Sequence, residues 1–186
     1  MPILGIVAAA GGFTKFGDFY QIATSTATGG AVSNITFSSI PQDYTHLQIR
    51  GIHRSASTDG SIDFQLNSDT GSNYARHSIT GDGATVSASA SVSATHAGFG
   101  GSASSTAGSN IFGSFVLDIF DYTNTNKFKT TRSIGGIDNN GSGAVNLRSN
   151  LWRSTSAITS IKIYNASSGN SLAQYSSFAL YGIKAS

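Results

Sequence analysis

The sequence contains no cysteine and no glutamate, and charged residues of any kind make up only 11% of its 186 positions. The missing cysteine excludes disulfides and thiolate metal sites, so packing and partners must stabilise the fold. All nine acidic residues are aspartates, and the chain lacks the mix of Glu and Lys that normally covers exposed helix faces. The net charge of +2 is scattered without a run of Lys or Arg, which speaks against a nucleic-acid surface.

What is present is serine, threonine and 22 glycines, with apolar residues that alternate with polar ones over short runs. Alternation of this kind predicts strands, and no helical periodicity persists for three turns. Up to ten strands are predicted, at positions 19–26, 31–37, 45–53, 61–66, 74–79, 110–120, 127–137, 144–152, 157–164 and 175–183. We therefore expect an all-β fold: a single antiparallel β-sandwich, jelly-roll-like, with a short N-terminal extension.

Two of these predictions are specific. The strand at 110–120 has apolar residues on both of its faces, which favours a strand covered on both sides. Residues 138–143 (DNNGSG) combine Asn-Gly with further turn residues, which predicts a hairpin between the strands on either side.

Two segments of the chain differ in composition from the predicted strands: the N-terminus and one internal stretch. We expect residues 1–17 to be an apolar N-terminal attachment arm ahead of a β-sandwich domain at 18–186. Ile3, Leu4, Ile6 and Val7 are the candidates to dock into a neighbouring subunit, and a strand buried in this domain is the alternative. The arm is too short to span a bilayer, and no cation precedes its apolar core, so we expect neither an anchor nor a signal peptide. Residues 81–109, almost entirely Gly, Ala, Ser and Thr, predict either a small-residue strand or a long surface loop.

Motifs that carry chemistry are weak in this chain. The triplet Asp69-Thr70-Gly71 matches aspartic proteases, but its flanks are turn residues and no second triplet is present. The stretch from Asp138 matches the opening of a calcium loop, yet the position that requires a bidentate Glu is Ser149. The four histidines show no metal-ligand spacing. We expect no catalytic site, no metal and no cofactor.

Aromatic residues beside polar neighbours are the remaining candidates for binding. Trp152 and Arg153 form a pair at a predicted strand end, where a Trp often stays partly exposed. Together with Tyr122 and Phe99 they are the candidate contacts for a receptor or another subunit. Core packing is the alternative for the aromatic members.

Several stretches of sequence recur together in one group of proteins. They are residues 1–8 (MPILGIVA), 35–41 (ITFSSIP), 44–51 (YTHLQIRG), 67–74 (NSDTGSNY), 118–127 (DIFDYTNTNK), 152–161 (WRSTSAITSI) and 173–184 (AQYSSFALYGIK). Through them the chain resembles, over nearly its whole length, small structural proteins of tailed-phage virions of the minor-tail or tail-fibre type.

The resemblance implies a non-enzymatic virion protein on the exterior of the phage particle, tail-associated, with other virion proteins and a host surface glycan as partners. A homotrimer is expected, because three-fold symmetry suits fibres and capsids alike. A capsid decoration or cement protein is the main alternative. A tail-spike enzyme that degrades glycans and a secreted carbohydrate-binding module are weaker ones. No nucleic-acid or membrane partner is expected.

Overall fold

The computed structural model describes residues 18–167 and 171–184, and all the regular elements in these ranges are β-strands. The strands are Phe19–Thr26 (β1), Asn34–Phe37 (β2), His46–His53 (β3), Asp63–Leu66 (β4), Tyr74–Gly81 (β5), Val86–Ala94 (β6), Ala97–Gly98 (β7), Gly113–Ile119 (β8), Lys129–Asp138 (β9), Gly143–Trp152 (β10), Ile161–Tyr164 (β11) and Ser177–Ile183 (β12). The described part of the chain holds no helix long and apolar enough to cross a membrane. The predicted attachment arm, with Ile3, Leu4, Ile6 and Val7, lies outside the described residues.

The strands pair antiparallel into two sheets that pack on each other. The large sheet has the order β1-β12-β3-β8-β9-β10-β5-β6, and the small sheet has the order β2-β11-β4-β7. Apolar side chains of both sheets form a single core, so the predicted all-β sandwich is confirmed. The jelly-roll version of it is not confirmed, because the sheets hold eight and four strands.

The core is built by alternation on the central strands of the large sheet. On β8, Phe115, Leu117 and Ile119 are buried, while Ser114 is exposed and Val116 is half-buried. The prediction that this strand is covered on both faces is therefore wrong, because only its inner face meets the small sheet. A contact of this kind buries one set of alternate residues and leaves the other toward solvent.

One glycine of β3 is required by this packing. A Cβ atom on Gly51 would lie 2.6 Å from the ring of Phe115 and 2.7 Å from the ring of Phe178. Both rings sit over the backbone at that position, and any side chain there would displace them.

The small-residue stretch at 81–109 is part of the sandwich. It supplies β6 at the edge of the large sheet and β7 at the edge of the small sheet. It also places Phe99 in the core, with ring centroids 4.0 Å from Phe115 and 4.7 Å from Phe64. Of the two alternatives for this stretch, the structure has the small-residue strand.

The hairpin predicted at residues 138–143 joins β9 to β10. The amide of Asn139 donates to the carbonyl of Ser142 at 2.6 Å, and the amide of Asn140 donates to Asp138 Oδ1 at 2.7 Å. Asn140 and Gly141 both have positive φ, which is the conformation that this turn chemistry favours.

Two buried polar side chains tie loops to the core. The ammonium of Lys129, which is fully buried, donates to the backbone carbonyls of residues 124, 127 and 155. The hydroxyl of Tyr122, also buried, donates to the carbonyl of Pro41. These four bonds give loop carbonyls donors from inside the fold.

Candidate functional site

A polar cleft lies where the two sheets diverge, on the side of β5 and β6. Asp63 begins β4, Arg76 lies on β5, Arg148 lies on β10, and His96 follows β6. Strand pairing brings them together: Asp63 is opposite Gly98 across β4 and β7, while Arg148 and Arg76 lie on adjacent strands of the large sheet. The cleft has a volume of about 330 Å³.

A buried carboxylate stands at the centre of the cleft. Oδ1 of Asp63 is 3.6 Å from Nη1 of Arg76 and 3.8 Å from Nε2 of His96. Its other oxygen accepts the amide of Ala166 at 3.4 Å. The Asp63 side chain is only 5% exposed, so these contacts replace most of its water.

Burial governs the titration of this cluster. It raises the pKa of Asp63 above its ordinary value, although the charges of His96, Arg76 and Arg148 act against it. It lowers the pKa of His96, with Arg76 acting in the same direction and Asp63 opposing. It also lowers the pKa of Arg148. The charges therefore meet in poorly solvated surroundings, where an unpaired charge is costly.

Arg148 enters this cluster over two glycines. A Cβ atom on Gly98 would collide with Nη1 of Arg148 and would lie 3.1 Å from Oδ1 of Asp63, and one on Gly100 would lie 3.0 Å from Nε of Arg148. The Nε atom of Arg148 is buried and has no hydrogen-bond partner among the described residues. The glycines therefore make room for a guanidinium whose bonding capacity is only partly used.

Serine hydroxyls complete the lining. The polar wall is supplied by Ser61, Ser78, Ser89, Ser91 and Ser167. The hydroxyls of Ser78 and Ser89 are 2.7 Å apart, across the pairing of β5 with β6. The lining includes no Phe, Tyr or Trp. This wall can offer hydrogen bonds to hydroxyls and anions but no aromatic surface for stacking.

The outer side of β9, β10, β5 and β6, which faces away from the small sheet, carries a group of exposed apolar residues. Ile134, Leu147 and Ile79 face one another directly across β9, β10 and β5, and Val145 and Val86 lie in the next row. These five side chains, which we call the outer apolar face, are between 47% and 77% exposed. At the cleft, the inward residues Arg76, Ser78 and Arg148 are polar and the outward residues are apolar, which reverses the arrangement on β8.

The structure corrects three of the predicted contact residues. Trp152, Tyr122 and Phe99 are buried in the core, so their rings are not available to a receptor or to another subunit. Trp152 lies at the end of β10, where its indole donates to Oδ2 of Asp69 at 2.6 Å. Pairing with an adjacent turn, rather than exposure at a rim, satisfies its polar atom.

The Asp69 turn that receives Trp152 is held by its carboxylate. Oδ1 of Asp69 accepts the amide of Gly71 at 2.8 Å, and Oδ2 accepts the side-chain amide of Asn73 at 2.9 Å. Partial burial raises the pKa of Asp69, but the hydrogen bonds from Trp152, Asn73 and Gly71 outweigh it and leave the pKa below its ordinary value. The triplet Asp69-Thr70-Gly71 therefore forms a turn that supports the core.

Of the predicted contact residues, Arg153 alone is exposed, and its guanidinium donates to the carbonyl of Ser72. Arg153 is therefore not part of the cleft. Within residues 18–167 and 171–184 no group of three His, Cys, Asp or Glu side chains lies close enough to hold a metal ion.

Sequence reasoning missed the cleft residues Asp63, Arg76, His96 and Arg148, which are scattered over the chain. One signal was present: Arg76 and Arg148 are charged residues within alternating strands that hold little other charge. Arg50 and Arg132 occupy comparable positions outside the cleft, so only the strand pairing shows that Arg76 and Arg148 meet.

No protein-family model, no curated protein and no solved structure matches this chain.

Proposed function

We propose that the chain is a non-enzymatic structural protein of a tailed-phage virion, displayed on the exterior of the particle and associated with the tail, where it contacts the host surface. The resemblance of seven stretches of the sequence to phage virion proteins supports the virion role. The observation that carries the proposal is the outer apolar face. A protein that assembles with other subunits needs an exposed apolar surface, because burying that surface against a partner stabilises the complex.

The size of this face fits a subunit contact. A half-exposed aliphatic side chain leaves on the order of 100 Å² accessible, so the five residues together expose roughly 500 Å². Patches of about 300–600 Å² are the largest on ordinary monomers and are often functional. A stable interface buries about 800 Å² per partner, so the face supplies most of the contact that a subunit needs.

The occupant that we propose is a second copy of the chain. The five residues of the outer apolar face carry no charge, and exposed Arg132 lies one row beyond Ile134 on the same side of β9. Two copies that meet at the centre of the face would therefore avoid repulsion between like charges, provided that Arg132 stays at the rim. The low charge of the whole chain, 11% of residues, has the same effect at longer range. A face that meets its own copy gives a two-fold dimer, whereas the trimer expected from the sequence requires contacts between two different patches on each copy.

The cleft is the surface that we assign to host contact. It opens on the opposite side of the sheet from the outer apolar face, so assembly through that face leaves it accessible. Its charged and hydroxyl groups suit a polar ligand such as a surface glycan.

The assembly part is tested by light scattering coupled to size-exclusion chromatography. The variant Ile79→Ser/Leu147→Ser removes the centre of the outer apolar face, and Phe128→Ser removes an exposed aromatic outside it, of similar exposure at 49%. We expect an oligomer for the unmodified protein and for Phe128→Ser, and a monomer for the double variant. A monomeric unmodified protein at 100 µM would rule out this contact.

The location is tested by quantitative mass spectrometry of purified virions. A tail component is expected at about one copy per hundred major capsid subunits. A ratio near one copy per one to three capsid subunits would instead favour the capsid decoration protein, for which the outer apolar face would pack on the capsid lattice. Absence from the virion would refute both.

A further inference from the structure

The cleft carries an excess of positive charge. Asp63 is the only carboxylate among the residues that line it, while Arg76 and Arg148 both contribute guanidinium groups. Arg76 lies against Asp63 and compensates it. Within this lining Arg148 therefore brings one positive charge in excess, while the carboxylate of Asp59 lies behind Ser167 in an adjoining cavity that Arg148 also lines.

Arg148 also has an unused donor. Its buried Nε has no partner among the described residues, and a donor left unpaired on a buried charged group is costly. A ligand anion that binds the guanidinium from the cleft side would balance its charge.

The charge of the ligand follows from this count. One guanidinium in excess matches a single negative charge, and the planar fork of arginine suits a carboxylate. A phosphate dianion would bring a second negative charge close to the buried carboxylate of Asp63, with no further cation to offset it. The cleft therefore favours a carboxylate over a phosphate.

The rest of the ligand follows from the wall. Five serines line the cleft beside the charged cluster; the hydroxyls of Ser78 and Ser89 bond to each other, and that of Ser167 donates to Asp59. A volume of about 330 Å³ accommodates one or two sugar rings. Neutral sugars commonly gain affinity by stacking on aromatic rings, and the lining has none. Affinity must then come from the charged group, while hydroxyl contacts orient the ring.

We propose that the cleft binds a saccharide that bears a carboxylate, a uronic or other acidic sugar, with Arg148 on the carboxylate and the serine hydroxyls on the sugar. This inference rests on the host-contact part of the proposed function and names its ligand class. Gly98 is necessary to the site, because any side chain there would occupy the space in which Arg148, Asp63 and Arg76 converge.

The test is isothermal titration calorimetry on the full chain, with glucuronate, glucose, acetate and inorganic phosphate as probes. We expect glucuronate to bind at least tenfold more tightly than each of the other three. If acetate binds as tightly as glucuronate, the proposed contacts with the sugar ring are wrong. If phosphate binds more tightly than glucuronate, the proposed preference for a carboxylate is wrong. No binding of glucuronate at millimolar concentration would overturn the site.

Variants locate the binding. Arg148→Gln is expected to weaken glucuronate at least tenfold, while Arg153→Gln, an exposed arginine outside the cleft, is expected to leave it unchanged. Ser91→Ala leaves the charged cluster intact, so it tests the site even if the arginine variant fails to fold. We expect it to weaken the binding of glucuronate about threefold. Unchanged binding in both Arg148→Gln and Ser91→Ala would refute this location. Because the titration uses purified protein, its outcome is independent of the virion copy number, so the two proposals can fail separately.

Discussion

His53, the last residue of β3, is buried without a hydrogen-bond partner for either ring nitrogen among the described residues. Its ring packs against the rings of Phe115 and Phe178, with centroid distances of 5.2 and 6.2 Å. Burial lowers the pKa of His53 from 6.5 to about 3. The folded protein therefore holds this imidazole neutral over a pH range in which the unfolded chain protonates it.

The sign and size of the effect follow from proton linkage. Between pH 6.5 and pH 3 the unfolded state binds one proton more than the folded state at His53, so the free energy of unfolding falls as the pH falls. Above pH 6.5 His53 is neutral in both states, and its burial causes no pH-dependent loss of stability. With the two pKa values of His53, the loss is about 2 kcal/mol at pH 5 and about 3 kcal/mol at pH 4.

The variant His53→Phe removes this titration while keeping an aromatic ring between the two phenylalanines. Urea unfolding, followed by circular dichroism at equal protein concentration, gives the free energy of unfolding of both proteins at pH 7.5, 5 and 4. We expect the unmodified protein to lose about 2 kcal/mol more than His53→Phe between pH 7.5 and pH 5. His96 titrates in both proteins, so the difference between the two curves reports His53. Parallel curves would refute the assignment of a neutral, buried His53.

Three further substitutions test the packing. Lys129→Met leaves three loop carbonyls without their ammonium donor, and urea unfolding should show a loss of about 2–3 kcal/mol. Gly51→Ala forces the rings of Phe115 and Phe178 apart, and the expected loss of about 1–3 kcal/mol or more should appear in the same assay. Tyr122→Phe deletes one hydrogen bond from a buried hydroxyl to a carbonyl, and the expected loss of stability is about 1 kcal/mol. For each of the three variants, an unchanged free energy of unfolding would contradict the contact assigned to that residue.

Strand positions are predictable from this sequence where alternation coincides with burial. The prediction for 19–26 has the same bounds as β1, and the hairpin at 138–143 is confirmed in its turn residues. Strand ends are less certain, as at residues 61–66, where the strand itself begins at Asp63. A strand ends where its pairing with the neighbouring strands stops. The alternating pattern of one strand does not show where its partners end.

The cleft could not be predicted in the same way. Asp63 and Arg148 are 85 positions apart in sequence and meet because β4 pairs with β7 while β10 lies two strands from the edge of the large sheet. The contact prediction for Trp152 is wrong for a related reason. The Asp69 turn, on a different part of the chain, accepts its indole and allows it to be buried.

The polarity of the large sheet explains why both proposed surfaces escape a reading of the sequence alone. Alternation reveals that β10 has one apolar and one polar side, but it does not reveal which side faces the small sheet. On β8 the apolar side turns inward and forms the core. On β10 Leu147 and Val145 turn outward, and Arg148 turns inward toward the cleft. The two surfaces are thus the two sides of the same strands, and a slip of one residue in register would exchange them. If both proposals hold, a change that reorients these strands damages the proposed assembly and the proposed ligand binding together, whereas a substitution confined to one side affects only one of them.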